Sequence, residues 1–411
     1  MRILIEQSGH ALKNMGDWVM LQVAVKRCLH LFPGARIQVV AEDPARLQHC
    51  IAGVEPLQTA GREMMLGTGF LFGGRASFAG RLDRRLVLAA PSALLPLIRL
   101  RHRASRRNVE VFDAFVEAIH GADLVLTSGG GFITDAFPRM VEGVCGVLSI
   151  AQKLGKPTAM LGQGLGPLTK PGLLRRATAA LRNLKLLTLR ESRRSRDMAH
   201  QLGVHGDRIA VTGDDAIEYC HGNRSRSSGS QLGLNVRATP YSAVDSTDLS
   251  VIRDVVQELL RRFRAVPCPL PISFYDDEDV RSTELLLPPD LRSSNGQVAR
   301  PEDVIRLAAG CRLVVTGSYH AGVFALAQGV PVIGLAKSEY YADKFLGLAE
   351  QFGEGCECVL LNHPHFAGTL LERASLLWER SDSIRQSLLL RAEDQIEKSR
   401  AAYRRIPELV H

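Results

Sequence analysis

The sequence predicts an α/β protein of two domains, each with a mostly parallel sheet covered by helices on both faces. Short apolar segments alternate with longer segments in which apolar residues recur every three or four positions, which is typical of strands alternating with helices. A polar segment at residues 220–230, CHGNRSRSSGS, interrupts this pattern, which then restarts. The length of 411 residues is enough for two or three domains of about 100 to 200 residues each.

The first half begins with a strand, a polar loop and a helix. Residues 3–5 form a short apolar strand, and apolar residues at helical spacing follow at 17–31. Further apolar runs alternate with helix-like segments, which favours a sheet whose strands are buried on both faces. These further strands are predicted at 36–41, 123–128, 158–162, 186–190 and 209–212.

The second half repeats the alternation and ends in a charged helical stretch at 381–402. We expect this last helix to pack back across both domains. We therefore divide the chain into a first domain, 1–222, joined by the C-terminal helix 381–411, and a second domain, 231–380. The predicted strands of the second half are 232–236, 271–274, 313–316 and 330–335, and its predicted helices are 250–263, 301–309 and 320–328.

Composition predicts a soluble, cytoplasmic protein. The eight cysteines are scattered without a C-x-x-C pair, as expected for free thiols in a reducing compartment. The first ten residues lack the apolar stretch of about 7 to 15 residues that a secretory signal needs. The longest largely apolar run, 86–98, contains two prolines and is shorter than the roughly 20 residues of a membrane-spanning helix.

The net charge of +8 is concentrated in the first half of the chain. Residues 1–222 contain 29 basic and 19 acidic residues, against 22 and 24 in the remainder. The segment from Arg81 to Arg107 alone carries eight arginines and one aspartate, with leucines between them. It is either an amphipathic patch that contacts the inner face of an anionic membrane or a solvated, arginine-rich connection. Nucleic acid is not expected, because aromatic residues do not interleave with the arginines.

Glycine-rich loops follow three of the predicted strands. Ligands bind at the carboxyl ends of parallel strands, where free backbone N–H groups and helix dipoles favour anions. A full G-x-G-x-x-G spacing, a Walker lysine and a cluster of metal ligands are all missing, so we expect neither a dinucleotide site nor a metal. Taken singly, each loop is better explained as a tight turn, while Asp17 is at least as well explained as a helix cap and Asp135 as a solvated acid. The loop residues that could orient a substrate are Asn14, Gly16, Gly129, Gly130, Gly131, Gln163 and Gly164.

Three basic side chains are candidates for binding an anion. His320 lies in a polar loop between a predicted strand and helix, where it could act as acid, base or phosphate ligand. Arg190 and Arg237 end strands that are otherwise apolar, and an arginine there can clamp a phosphate or carboxylate. The alternatives to anion binding are that His320 hydrogen-bonds to the backbone and that Arg190 and Arg237 form surface salt bridges.

Read together, these motifs resemble the polysaccharide pyruvyl transferase family, in the right order across most of the chain. The most specific is YHAGVFALAQGVPVIGL at 319–335, followed by Tyr341 and Lys344 in a Y-x-x-K arrangement. The other matching segments are N-x-G-D at 14–17, the GGG segment at 122–131 with Asp135 beyond it, GQGLGPL at 162–168, LTLRESRRS at 187–195 where the family usually has R-D-x-x-S, and TGDD at 212–215.

The resemblance implies two Rossmann-like domains facing across a cleft, the GT-B type of α/β fold. It also implies transfer of a pyruvyl group from phosphoenolpyruvate onto two sugar hydroxyls of a cell-surface polysaccharide or its lipid-linked precursor. Phosphoenolpyruvate would be the donor substrate, with no cofactor and no metal. The first domain would face the acceptor and the second the donor. The roles implied are His320 as acid and donor ligand, Asp17 or Asp135 as base, and donor binding by Arg190, Arg237, Ser318, Tyr319, Lys344 and Gly164.

One position departs from the family pattern. The family usually has an arginine two residues before the histidine, and this chain has Ser318. Lys337, Arg237 or Lys344 would have to replace the missing cation, or the donor differs from phosphoenolpyruvate. The alternatives are therefore a GT-B glycosyltransferase that uses a nucleotide-sugar, and a noncatalytic protein that docks through the arginine-rich segment.

Overall fold

The first sheet has eight parallel strands. A computed structural model describes residues 1–7, 9–66, 78–276, 278–287 and 298–410, without the side chains of 78–81, 83 and 84. The strand order is β3-β2-β1-β4-β6-β7-β8, with β5 also paired to β6. Its strands are β1 (Arg2–Glu6), β2 (Arg36–Ala41), β3 (Val54–Gln58), β4 (Leu124–Thr127), β5 (Gly130–Ile133), β6 (Thr158–Leu165), β7 (Leu186–Leu189) and β8 (Ile209–Val211).

Ten helices accompany this sheet among the described residues. They are α1 (Met15–Leu31), α2 (Pro44–Cys50), α3 (Thr59–Leu66), α4 (Phe78–Ala89), α5 (Pro91–Ala104), α6 (Val109–Gly121), α7 (Pro138–Lys153), α8 (Pro171–Leu181), α9 (Ser195–Gln201) and α10 (Ala216–Gly222). The arginine-rich segment is therefore largely helical, in α4 and α5. The side chains of Arg81 and Arg84 lie outside the described part of the chain.

The second sheet has five parallel strands in the order β10-β9-β11-β12-β13. Its strands are β9 (Gln231–Asn235), β10 (Pro267–Pro269), β11 (Cys311–Thr316), β12 (Val332–Ala336) and β13 (Cys356–Leu360). Its helices are α11 (Ser246–Phe263), α12 (Glu278–Glu284), α13 (Pro301–Ala309), α14 (Tyr319–Leu326), α15 (Glu339–Phe352) and α16 (Phe366–Tyr403). Two parallel sheets covered by helices confirm the predicted α/β class.

One predicted strand is wrong. Residues 271–274 are not a strand, and the edge strand of the second sheet lies earlier, at β10. The backbone N–H groups of Ile272 and Ser273 donate to Asp279 Oδ2, at 2.9 and 2.8 Å. These groups are thus satisfied by a side chain and not by a neighbouring strand.

Helix α16 is longer than predicted and joins the two sheets. It begins at Phe366 instead of residue 381, and buried residues recur at helical spacing from Leu370 onward. Near its start, Trp378 stacks on Phe263, with ring centroids 4.5 Å apart. Near its end, Tyr403 packs against the first sheet's helices. One apolar cluster runs from strand β1 through β11 to Tyr403, while a second cluster fills the other face of the first sheet.

No helix in the described ranges combines the length and the apolar character needed to cross a bilayer.

Candidate active site

A cavity of about 530 Å³ lies between the two sheets. Its walls come from loops and helix starts just beyond the carboxyl ends of strands in both sheets, as expected for parallel α/β folds. From the first sheet these residues are His10, Ala11, Asn14, Asp17, Glu42, Gly131, Phe132, Phe137, Met140 and Arg190. From the second they are Arg237, Tyr241, Ser273, Tyr275, Asp276, Glu278, Ser318, Tyr319, His320, Tyr340, Tyr341 and Lys344.

Arg190 follows strand β7 and is 2% exposed. Its guanidinium carbon lies 4.2 Å from the ring centre of Tyr319, and Nη1 lies 3.7 Å from Asp214 Oδ2. Two predicted substrate-loop glycines make room for this side chain. A Cβ added at Gly131 would lie 2.3 Å from Arg190 Nη2, and one added at Gly164 would lie 2.6 Å from Nε. The structure thus places these glycines against the arginine.

Arg237 follows strand β9 and is held by a buried carboxylate. Its Nε donates to Asp279 Oδ1 at 2.6 Å and its Nη2 to Asp279 Oδ2 at 2.8 Å. Burial alone would raise the pKa of Asp279, but Arg237 lowers it below its ordinary value. The remaining contacts of Arg237 are to Tyr341 Oη and Ser318 Oγ, both at 3.4 Å. The guanidinium therefore reaches the position where the family usually has another arginine.

Lys344, on α15, supplies the third cation of the cavity. Its ammonium lies 3.7 Å from the ring centre of Tyr340. Burial and the charges of Arg190 and Arg237 lower the pKa of Lys344 well below its ordinary value. Lys337 instead pairs with Asp245 and Asp248 and is not part of the cavity wall. Of the three residues that could replace the missing arginine, two therefore lie in the cavity.

His320 lies at the start of α14 and is 8% exposed. Burial and the charges of Arg190, Lys344 and Arg237 lower the pKa of His320 well below its ordinary value, so the ring is neutral at pH 7. Its buried Nε2 has no hydrogen-bond partner within the described part of the chain, and Asp214 Oδ2 lies 3.8 Å away. The residue packs directly on Gly16, where an added Cβ would lie 2.1 Å from the imidazole Cγ.

Asp214 is a site residue that sequence reasoning missed. In the sequence it is visible only as part of the TGDD motif at 212–215, which by itself indicates no role. Burial raises its pKa to about 6, against the opposing effect of Arg190. The next residue, Asp215, faces away from the cavity and accepts hydrogen bonds from Ser399 and Tyr403 of α16, at 2.7 and 2.8 Å. Helix α16 thereby holds the loop that presents Asp214.

Of the remaining predicted residues, Asn14 and Asp17 lie in the cavity wall and Asp135 does not. Asn14 caps α1, since its Oδ1 accepts from the backbone N–H groups of Gly16 and Asp17. Asp135 accepts from Thr169 and Lys170; desolvation would raise its pKa, and these hydrogen bonds lower it overall.

Three predicted loop residues, Gln163, Gly129 and Gly130, do not line the cavity and instead make contacts within the protein. Gln163 is buried, and its amide nitrogen donates to Ser128 O at 2.7 Å and Leu161 O at 2.8 Å. Gly129 packs on Met20, with an added Cβ 2.4 Å from its sulfur, and Gly130 begins strand β5.

Aromatic rings form another part of the wall that was not predicted as a surface. Phe137, Tyr241, Tyr340 and Tyr341 contact one another with centroids 5.4–6.2 Å apart. Tyr340 Oη donates to Gly131 O at 2.9 Å and so ties α15 to the first sheet. The adjacent tyrosines Tyr340 and Tyr341, which follow β12, are the sequence feature that could have indicated this aromatic surface. Such rings offer apolar faces next to polar hydroxyls, which suits a ring-shaped polar substrate.

Within the described ranges, no three His, Cys, Asp or Glu side chains converge to hold a metal ion. The cavity wall itself offers two guanidinium groups, one lysine and one neutral histidine, and the buried carboxyl group of Asp214 lies behind that wall, 3.8 Å from His320 Nε2.

Solved structures show the same fold at low sequence identity. UDP-GlcNAc 2-epimerase from Methanocaldococcus jannaschii has 13% identity, a TM-score of 0.54, and 92% of each chain is covered. UDP-GlcNAc 2-epimerase from Neisseria meningitidis has 12% identity and a TM-score of 0.53, with 100% and 99% covered. A glycosyltransferase from Rickettsia africae has 12% identity and a TM-score of 0.54, with 99% and 98% covered. These likenesses confirm the GT-B type of fold.

Sequence comparison identifies the family. No curated protein sequence is significantly similar to this chain. The polysaccharide pyruvyl transferase family profile matches residues 76–339, well over half of the chain, and includes Arg190, Asp214, Arg237 and His320. The family implies a transferase. The chain therefore belongs to the polysaccharide pyruvyl transferase family.

Proposed function

We propose that this protein transfers a pyruvyl group from phosphoenolpyruvate onto two hydroxyls of one sugar in a cell-surface polysaccharide or its lipid-linked precursor, forming a cyclic ketal and phosphate. The observation that carries the proposal is the cluster of Arg190, Arg237 and Lys344 around His320. Phosphoenolpyruvate presents a phosphate and a carboxylate on three carbons, and the cluster offers three cations within one small cavity. Family membership supports pyruvyl transfer in general, and the cluster supports this donor.

The three cations bind the donor in distinct ways. The guanidinium groups of Arg190 and Arg237 can each clamp a phosphate or carboxylate with paired N–H donors. Burial and the charges of Arg190 and Arg237 lower the pKa of Lys344, which disfavours its ammonium form before a ligand binds. A multiply charged anion offsets these charges and raises that pKa, so donor binding favours the ammonium that acts as the third cation.

Proton transfer to the donor begins at Asp214 and His320. With its pKa raised to about 6, Asp214 retains a proton more readily than an ordinary aspartate, and His320 Nε2 lies 3.8 Å from its Oδ2. The pair can hold one proton and deliver it to the methylene carbon of the donor, which becomes a methyl group. The adjacent carbon then gains oxocarbenium character, and the first sugar hydroxyl attacks it and loses its proton. The C–O bond to phosphate breaks, and the second hydroxyl closes the ketal.

Two hydroxyl protons must therefore leave the acceptor. Asp17 lies in the cavity wall at the start of α1, where its carboxylate could accept one of them. We do not assign this role to Asp135, because it lies outside the cavity wall and its carboxylate is bound by Thr169 and Lys170.

The donor is tested by assaying two products with the same glycan acceptor. We expect phosphate release from phosphoenolpyruvate, and an increase in the melting temperature when phosphoenolpyruvate is added. A ligand at about 100 times its Kd stabilises the native state by about 2.7 kcal/mol. Release of nucleoside diphosphate from a nucleotide-sugar, without phosphate release from phosphoenolpyruvate, would instead identify a glycosyltransferase and refute the proposed donor.

We further propose that α4 and α5 contact an anionic membrane from the cytoplasmic side, which would bring the enzyme to a lipid-linked acceptor. Leu97 and Leu100 are 48% and 64% exposed, and Leu82 and Leu86 are also exposed. Exposed arginines lie around them at Arg85, Arg101, Arg103, Arg106 and Arg107. Leucines that insert at the interface and arginines that attract anionic headgroups are the features of a peripheral membrane surface.

This membrane contact predicts co-sedimentation with vesicles that contain phosphatidylserine, and weaker binding at high salt. A variant with Arg101→Gln and Arg103→Gln should bind about 30-fold more weakly, since each arginine near the surface contributes about 1 kcal/mol. Leu97→Gln with Leu100→Gln should also weaken binding. The control is Leu376→Gln with Leu390→Gln, two exposed leucines on α16. Equal binding by all variants would refute the contact.

A further inference from the structure

A buried group of three charged or titratable residues lies under the acceptor side of the cavity. Glu6, the last residue of β1, is fully buried. Its Oε1 lies 2.5 Å from His10 Nε2 and 2.6 Å from Arg62 Nη1. Arg62 comes from α3, and its Nη1 also lies 3.0 Å from His10 Nε2. None of these three residues lies in a motif that identified the family.

The carboxylate of this group is ionised. Burial would raise the pKa of Glu6, but Arg62 and His10 lower it below its ordinary value. A buried carboxylate is costly unless it is paired, and here a guanidinium and an imidazole both contact the same oxygen. Glu6 and Arg62 have no place in the cavity wall, whereas His10 does. The carboxylate therefore acts on a ligand only through His10.

The proposal uses the imidazole tautomer that the contact with Glu6 favours, because an ionised carboxylate only accepts hydrogen bonds. When Nε2 carries the proton and donates to Glu6, Nδ1 is the nitrogen that can accept a proton. A carboxylate behind an imidazole orients the ring and stabilises the imidazolium that forms when it takes a proton. The backbone holds the residue as well, since His10 O accepts from Glu42 N at 2.9 Å. The charged side chains that contact the ring are Glu6 and Arg62, and the titratable residues Asp17, Glu42 and Tyr275 line the same cavity as His10.

From this geometry we propose that His10 is a catalytic base for one of the two acceptor hydroxyls, with Glu6 and Arg62 as positioning residues. This inference rests on the proposed function, because it assigns the fate of a proton in that reaction. As the hydroxyl oxygen bonds to the donor carbon, its proton passes to His10 Nδ1, and Glu6 stabilises the resulting charge. The imidazolium then releases the proton to solvent. Asp17 stays the candidate base for the other hydroxyl.

The test is His10→Ala in the full chain, assayed for phosphate release with phosphoenolpyruvate and a glycan acceptor. We expect kcat to fall by about 10² to 10⁴. The increase in melting temperature caused by phosphoenolpyruvate should remain, because the donor cations are intact. Added imidazole should restore part of the rate, which it cannot do if His10 is merely structural. The control is His49→Ala, an exposed histidine on α2.

The positioning residues are tested by Glu6→Gln, which keeps the size of the buried side chain. Without the carboxylate the imidazole is no longer oriented, and we expect kcat to fall by about tenfold while the KM for phosphoenolpyruvate stays unchanged, because the donor cations are intact. An active wild type with fully active His10→Ala would overturn the role of His10 alone. A wild type that releases no phosphate from phosphoenolpyruvate would overturn the proposed function and this inference together.

Discussion

Replacing His320 by glutamine is expected to lower kcat/KM for pyruvyl transfer by about 10² to 10⁴, the usual contribution of a positioned acid or base. Glutamine retains a polar group of similar size against Gly16 but cannot carry a proton from Asp214 to the donor. The melting temperature should change little, because His320 Nε2 makes no hydrogen bond within the described residues. The loss should therefore appear in the rate and not in the amount of folded protein.

The control is His200→Gln, an exposed histidine on α9. It should retain wild-type activity. The pH profile gives a second check, because Asp214 must be protonated to supply the proton. With its pKa at about 6, kcat/KM of the wild type should fall as the pH rises through that value, and Asp214→Asn should lose this limb along with most of the activity. A fully active His320→Gln variant would show that the proton takes another route.

Substitutions at Arg237 and Ser318 are expected to have the second large effect, on both donor binding and the free energy of unfolding. Arg237→Ser should abolish detectable donor binding and leave Asp279 buried without its cation, a loss of about 3 to 5 kcal/mol in the free energy of unfolding. Ser318→Arg should also be destabilising, because Ser318 is 1% exposed and its Oγ lies 3.4 Å from Arg237 Nη2. A second guanidinium there would be buried against the first.

The double variant Arg237→Ser with Ser318→Arg should recover part of both stability and donor binding. It places the guanidinium at position 318, where the family usually has an arginine, and removes the guanidinium of Arg237 that would lie against it. Melting temperatures with and without phosphoenolpyruvate, measured for the wild type, both single variants and the double variant, give the coupling free energy directly. Additive losses would show that Arg237 does not replace the missing family arginine.

The sequence predicted the central strands well and one edge strand, β8, but not the edge strands β3, β10 and β13. Strands β1, β2, β4 and β11 are short, apolar and β-branched, and their positions follow from local pattern. Strand β3 contains Pro56 and β13 contains two cysteines, so neither has a clear strand signal. The false strand at 271–274 has the right pattern, but its N–H groups bond to Asp279, which a local reading cannot show.

The candidate site was predicted where a residue has its own chemical signal. Arg190, Arg237 and His320 are basic residues at the ends of apolar strands or in a loop, and the structure brings all three into one cavity. Asp214 and His10 were missed because their significance depends on burial and on distant partners. Asp135 has the same residue type and a similar loop context, yet it lies away from the cavity wall. The roles of all these residues stay predictions.

The long helix α16 is attached to both sheets, which limits how they can move relative to each other. Its 38 residues span about 57 Å at 1.5 Å per residue, and it is fastened to the second sheet near Trp378 and to Asp215 of the first near Tyr403. A helix attached at both places is expected to hold the two sheets at a set distance across the cavity. A hinge motion that widened the gap would strain the Asp215 contacts and pull on the neighbouring acid, Asp214. If the cleft opens in this way, we expect Asp214, the proposed proton donor, to move with it.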